Sequence, residues 1–116
     1  VAKLWQPDWP AEGYARRRIE AAPTAAIYED GEPVAWALTH MVTDRVGIIG
    51  MVHVLDGHRR KGFARSVVAA VSRDLAKLDK VPTLHAFVDN AASLALFPTL
   101  GFRKVKRQVW GDAVFR

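Results

Sequence analysis

The stretch from Gly47 to Leu78 constrains this chain more than any other. It opens as an apolar run, Gly47 to Leu55, rich in Ile, Val and Met, the composition of a buried strand. Asp56-Gly57-His58 follows as a turn-forming cluster, and then comes Arg59-Arg60-Lys61-Gly62-Phe63-Ala64. Beyond it, Phe63, Val67, Val71, Leu75 and Leu78 recur at spacings of three or four, one face of an amphipathic helix of about four turns. The unit is a strand, a basic glycine-containing turn and a helix.

Such a unit is an anion trap. The first backbone N–H groups of the helix have no intrahelical acceptor and lie at the positive end of its macrodipole. Gly62 admits a ligand close to the backbone, Ala64 keeps the first turn uncluttered, and Arg59, Arg60, Lys61 and Arg65 add charge. A phosphate or pyrophosphate is the natural guest. The same residues also read as a small residue in a solvated basic turn, and the turn alone does not decide between the two. The spacing is neither that of a nucleotide-triphosphate loop nor that of a dinucleotide-binding Gly-x-Gly-x-x-Gly.

The remainder of the chain supplies the layers around this unit. Asp8 is placed to cap a helix from Pro10 or Ala11 to Ala21, with Tyr14, Ile19 and Ala22 on one side. Ala25 to Glu29 and Pro33 to Thr39 read as strands about the hairpin dipeptide Asp30-Gly31. Thr43-Asp44-Arg45 turns into the Gly47 strand. After the central helix, Asp79 to Pro82 reads as a return loop and Leu84 to Val88 as a strand parallel to the Gly47 strand. A short helix over Ala91 to Leu100 conflicts with Pro98, so it is expected to kink or to begin near Ser93. Gly101 ends it, Phe102 to Trp110 reads as a last strand, and Ala113 to Phe115 as its short partner. The expected fold is α/β with a mixed sheet, in the order α, β-β-β, α, β, α, β.

Val54 followed by Arg59-x-x-Gly62-x-Ala64 resembles the coenzyme A pyrophosphate motif of the GNAT superfamily of N-acetyltransferases, Arg/Gln-x-x-Gly-x-Gly/Ala. Downstream, Asp89-Asn90-Ala91-Ala92-Ser93-Leu94-Ala95-Leu96-Phe97-Pro98-Thr99-Leu100-Gly101-Phe102 resembles the second signature of that superfamily, Asn-x-x-Ala/Ser-x-x-Leu-Tyr-x-x-x-Gly-Phe. Lys3-x-Trp5, Arg18-Ile19-Glu20, Pro23-Thr24, Pro33 to Leu38 and Leu75 to Leu78 are similar to the C-terminal half of the glycine N-acyltransferase family. With Val1 in place of Met, the whole chain is expected to be one GNAT-like domain from the C-terminal part of a longer protein.

The resemblance implies acetyl-CoA or another acyl-CoA as co-substrate and a primary amine as acceptor, for instance an amino acid such as glycine. It implies that the Gly47–Leu55 and Leu84–Val88 strands diverge to open a slot for pantetheine. Backbone groups of Val52 and Val54 would bond the pantetheine amides, one N–H acting as oxyanion donor. Arg59, Arg60, Lys61, Gly62, Phe63 and Ala64 would hold the pyrophosphate, with Asn90 on the other side of the slot. Phe97 stands where many relatives carry a Tyr that protonates the departing thiolate, and a phenyl ring donates no proton. Relatives with a general base often carry Glu or His early in the central strand, where Ile48 and Gly50 stand here. His53 is then the candidate general base, with Asp44, His40 and His85 as further ionisable groups. Catalysis by positioning alone, with water taking the proton, is the alternative. Trp36 reads as the lining of an acceptor pocket or as core.

Composition bounds the partners. The 116 residues carry a net charge of +5 and no Cys, which removes disulfides, a thiolate nucleophile and cysteine metal sites. No metal is expected. The charge invites an anion, but beyond residues 59–65 and the C-terminal strand the basic residues are dispersed, without interleaved stacking aromatics, which speaks against nucleic acid. A domain that binds coenzyme A without turnover is the nearer rival. No apolar run approaches the roughly eighteen residues of a membrane span and no signal peptide is visible. A cytoplasmic or organellar protein is expected, with a homodimer among the open oligomeric states.

Overall fold

The structure is a computed structural model and describes residues 12–59 and 61–108. Its elements are α1 (Glu12–Ala21), β1 (Thr24–Glu29), β2 (Glu32–Val42), β3 (Val46–Val54), α2 (Phe63–Lys77), β4 (Val81–Leu84) and α3 (Ala91–Thr99). The strands form one sheet in the order β1-β2-β3-β4, antiparallel except for the β3–β4 pair. The expected mixed sheet is therefore present, with α2 as the crossover that makes β3 and β4 parallel.

The hairpin between β1 and β2 turns on Asp30 (φ 51°) and Gly31 (φ 79°). Two consecutive left-handed residues give a two-residue turn whose twist matches that of the flanking strands. β2 is buried without interruption from Val34 to Thr39 because both of its faces are covered. Ala35 and Ala37 face α2 and pack with Ile49, Val67, Val68, Val71, Leu75 and Phe97. Trp36 and Leu38 face the other way and pack with Met51 and with Ala15 of α1.

α1 rests on that second face through a small residue. Ala15 is buried and Tyr14 packs half-buried against the same cluster, whereas Ile19 is 44% exposed, so of the expected apolar side of Tyr14, Ile19 and Ala22 the tyrosine is used and Ile19 is not. An alanine lets the helix axis approach Trp36 and Leu38, which the larger Ile19 would prevent. Arg18 fastens the helix by donating from Nε to the Thr39 carbonyl at 3.0 Å. Thr39 Oγ1 in turn donates to the Pro23 carbonyl at 2.7 Å. The Asp8 cap lies outside the described residues.

α2 presents Val67, Val68, Val71 and Leu75 to the sheet, as the periodicity requires. It stops one residue short of Leu78, which is 56% exposed, because the chain turns out through Asp79 at φ 58°. β4 differs more. The strand occupies Val81–Leu84, not Leu84 to Val88, while 85–87 is irregular and Phe87 and Val88 are 73% and 70% exposed. Pro82 reads as loop, yet among the described residues β4 pairs with β3 alone, and a strand without a partner on its other side tolerates a residue without an N–H.

α3 begins where Asn90 caps it, its Oδ1 accepting from the Ser93 N–H at 3.1 Å. The expected late start near Ser93 is thus overturned by the cap. Pro98 falls in the last turn, and Gly101 (φ 94°) closes the helix as its own N–H reaches the Pro98 carbonyl and the Phe102 N–H reaches Phe97. The expected strand from Phe102 is not formed over 102–108, and Val105 is 86% exposed. Arg103, Lys104, Lys106 and Arg107 leave that segment little to bury. The rest of that strand, and its partner at Ala113 to Phe115, lie outside the described residues.

Candidate functional site

The sheet opens at one point. β3 and β4 pair from Val46↔Val81 to Ile49↔Leu84 and no further. From Gly50 to Val54, β3 continues with β2 as its only ladder partner among the described residues, while the chain after Leu84 leaves the sheet. The backbone of residues 50–54 is thus left unpaired on the β4 side among the described residues, and this parting of the two strands is the candidate slot. The divergence expected of the two strands is present, with an irregular segment where a strand had been expected.

The backbone on this side of the slot is not regular. Ala35↔Val54 and Trp36↔His53 pair in one register and Leu38↔Gly50 in another, so β3 carries one extra residue opposite Ala37. Met51, at φ 52°, absorbs it. A bulge of this kind releases backbone groups from the ladder and re-aims side chains. Here it reverses the alternation: Ile49 faces α2 before it, and Val52 and Val54 face α2 after it. Their side chains belong to the core, so what Val52 and Val54 offer a ligand is their backbone. The Val54 carbonyl accepts from Arg59 Nε at 3.3 Å.

Beyond β3 the turn carries two left-handed glycines, Gly57 (φ 85°) and Gly62 (φ 78°). Gly62 is the N-cap of α2 and makes no side-chain cap. The Ser66 N–H reaches the Gly62 carbonyl, so the N–H groups of Phe63, Ala64 and Arg65 have no helical acceptor. A left-handed residue followed by helical ones turns such N–H groups inward on one point, an anion-binding concavity. Arg59 stands beside it, 3.4 Å from Asp56 Oδ1 in an exposed pair. Lys61 Nζ lies 5.9 Å from the centre of the Phe63 ring. The His58 ring stacks with Phe63, centroids 6.5 Å apart, and its Nδ1 lies 3.1 Å from Glu29 Oε2. Arg65 is drawn away: it donates to Thr99 Oγ1 at 2.7 Å and to the Thr99 carbonyl at 3.4 Å, tying α2 to the end of α3. Arg60 lies outside the described residues.

Asn90 sits at the start of α3 as its cap. Phe97 is buried in the core against α2, its ring edge on Phe102 with centroids 6.1 Å apart. His53 lies on the opposite face of the sheet from α2. It pairs across the strands with Trp36, the two rings 5.3 Å apart. Burial, and then the Arg59 guanidinium, hold its pKa below 6.5, with Asp56 pulling weakly the other way. Its imidazole is thus neutral at pH 7 and able to accept a proton. Trp36 beside it is fully buried, and its indole N–H has no hydrogen-bond partner.

One pairing has no counterpart in the sequence reading. His40, exposed on β2, is hydrogen-bonded through Nδ1 to the hydroxyl of Tyr14 on α1. The two residues lie 26 positions apart, and no local spacing signals their contact. An open groove along the same helix is lined by Tyr14, Arg17, Arg18, Glu20 and Ala21. Among the described residues no cluster of three His, Asp or Glu side chains is arranged to hold a metal ion. No helix among them is long and apolar enough to cross a membrane.

Known proteins place this geometry. The family described as FR47-like protein matches residues 26–111. A GNAT-family acetyltransferase from Novosphingobium aromaticivorans superposes with a TM-score of 0.71 at 25% identity, over 75% of this chain and 40% of that one. The chain thus spans less than half the length of that protein. The aminoglycoside N-acetyltransferase AAC(6')-Iy in complex with CoA superposes with a TM-score of 0.75 at 18% identity, over 97% of this chain and 92% of that one. The ribosomal-protein-S18-alanine N-acetyltransferase from Escherichia coli gives 0.71 at 24% identity, over 84% and 63%. These likenesses establish the GNAT acetyltransferase fold. No curated protein matches the chain by sequence.

Proposed function

The chain belongs to the FR47-like protein family, and from that premise we propose that it is an acyl-coenzyme A N-acyltransferase acting on a primary amine. The observation that carries this reading is the slot itself. β3 leaves β4 after Ile49, runs on through a bulge at Met51, and ends at a turn whose left-handed Gly62 opens α2. A linear thioester with a pyrophosphate at one end fits that sequence of features. The phosphates sit on the N–H groups of Phe63, Ala64 and Arg65 with Arg59 and Lys61 near them, and pantetheine runs along the backbone of Val52 and Val54. Asn90 borders the slot from α3, and Phe97 supports it from the core.

The chemistry asks little of side chains. A backbone N–H at the bulge polarises the thioester carbonyl and stabilises the oxyanion that forms there. His53, neutral at pH 7, takes a proton from the acceptor ammonium and passes it to water. In the acceptor groove along α1, Arg17 meets the carboxylate of an amino acid such as glycine, the acceptor class suggested by the likeness to glycine N-acyltransferase C-terminal domains. In a longer parent protein the same division of labour holds for this domain.

A second reading, coenzyme A binding without turnover, draws on Phe97, which offers no phenol to the departing thiolate. Free-thiol release from acetyl-CoA across glycine, other amino acids, polyamines and peptide N-termini separates the two. Turnover with any amine establishes the transferase. Micromolar acetyl-CoA binding with no thiol release across the panel leaves the binding domain.

A further inference from the structure

We infer that Tyr14 and His40 form a proton-handling pair at the closed end of the slot, which takes the nitrogen proton from the adduct and returns it to the leaving sulfur. The inference rests on the acyltransferase reading, because the reacting thioester is what locates that end.

The placement comes from three contacts. Gly50 is the first residue of β3 beyond the last β3–β4 pair, Ile49↔Leu84, so it stands where the slot closes. A Cβ at Gly50 would lie 2.8 Å from the Cβ of His40 and 3.5 Å from its Cγ. The space a Gly50 side chain would take is thus occupied by the Cβ of His40 from the neighbouring strand, with the root of its ring at Cγ just beyond. His40 reaches this point because β2 carries its own irregularity: Thr39↔Ile49 and Met41↔Ile48 pair in different registers, with His40 the extra residue between them. Two bulges on adjacent strands, one at His40 and one at Met51, therefore meet at Gly50. At about 3.3 Å per residue, the stretch from Gly50 to Val54 spans roughly 13 Å, comparable to an extended pantetheine arm. With the pyrophosphate at Gly62, the thioester falls at the Gly50 end, near His40.

Tyr14 gives the imidazole its direction. With the proton of neutral His40 on Nδ1, that N–H donates to the Tyr14 oxygen and Nε2 keeps its lone pair. The same bond survives when Nε2 is protonated, so the ring holds one orientation through a full proton cycle. Around it, α1 contributes Tyr14 and Arg18, the latter bound to the Thr39 carbonyl, and the facing β3 residues Ile49 and Gly50 carry no ionisable group.

The step balances as follows. The acceptor ammonium first loses one proton to solvent by way of His53. The free amine then uses its electron pair to form the C–N bond, and the carbonyl oxygen becomes an oxyanion. His40 Nε2 removes a proton from the now positive nitrogen. As the C=O bond re-forms, the C–S bond breaks and sulfur leaves with its electron pair, and His40 returns the proton to it as coenzyme A thiol. One imidazole serves both atoms because nitrogen and sulfur share a carbon, as in acyl transfer by the serine hydrolases.

The test uses the intact chain with acetyl-CoA as probe and the amine panel above. His40→Gln should lower kcat by about a hundredfold while the KM for acetyl-CoA stays within about twofold. Tyr14→Phe should lower it less, since it weakens orientation only, and imidazole added to His40→Ala should restore part of the rate, which a packing role would not permit. Independently of turnover, the His40 ring signals in a ¹⁵N-histidine spectrum should move with acetyl-CoA and move differently with coenzyme A. Unchanged His40 signals at saturating acetyl-CoA, or wild-type kcat in folded His40→Gln, overturn the pair while leaving the transferase reading intact. Failure of the wild-type chain to bind acetyl-CoA at all overturns both.

Discussion

Gly57 and Gly62 offer a matched pair of perturbations. Both lie in the left-handed region, at φ 85° and 78°, and neither has a heavy atom within 4 Å of where a Cβ would stand. Replacing either with Ala therefore introduces no clash, only the cost of holding an L-residue at positive φ, about 1–2 kcal/mol. At about 4–8 °C per kcal/mol for a domain of this size, both variants should melt some 4–16 °C lower. Their effects on coenzyme A should differ. The open space at Gly62 is the approach to the N–H groups of Phe63, Ala64 and Arg65, whereas Gly57 sits in the loop before them. A methyl at 62 should cost at least one charge-assisted bond to phosphate, about 2 kcal/mol, or roughly thirtyfold in affinity. Calorimetric titration with coenzyme A well below both melting temperatures reads the difference. Equal affinity in the two variants, whether both weakened or both unchanged, would refute the assignment of the phosphate site to Gly62.

Two further outcomes follow from other contacts. The pKa of folded His53 lies below 6.5, so the unfolded chain binds more protons as pH falls through 6.5, and stability is lost from there down until the folded pKa is passed. His53→Gln should flatten that part of the stability–pH curve measured by denaturant titration, and an unaltered curve would remove His53 as its source. Gly50→Ala sets a Cβ 2.8 Å from that of His40, and overpacking of this kind costs about 1–3 kcal/mol. Its melting temperature and turnover should both fall while coenzyme A affinity holds, and a variant with wild-type melting and rate would show that His40 can yield without consequence.

Local chemistry made much of the fold legible. Asp30-Gly31 demanded left-handed backbone and received it, and the spacing of Val67, Val71 and Leu75 named the buried face of α2. The Gly62 turn was legible for the same reason, since glycine is the residue that such a backbone needs. What escaped the sequence depended on neighbours remote along the chain. Pro82 looks like a loop residue until β4 is seen to pair with β3 alone among the described residues, and Ile19 looks like core until Ala15 is seen to set the approach of α1. Asn90 carried a cap signal that the Pro98 conflict obscured. His40 is the sharpest case: its contacts with Tyr14 and Gly50 come from two other elements and a register irregularity, none of which leaves a local mark.

The bulge at Met51 has a consequence for how this family of sequences can diverge. With an odd residue in the strand, positions 52–54 are read one step out of phase with positions 46–49. Deleting Met51 would restore the phase and thereby exchange the two sides: Val52 and Val54 would turn toward α1, and His53 would turn into the aliphatic layer under α2. The loss would resemble a frameshift, in which every downstream symbol is intact and misplaced. Single-residue insertions and deletions in β3 are thus closed to drift, whereas substitutions that keep the count remain open. Descendants of this chain should differ there in spelling and agree in length.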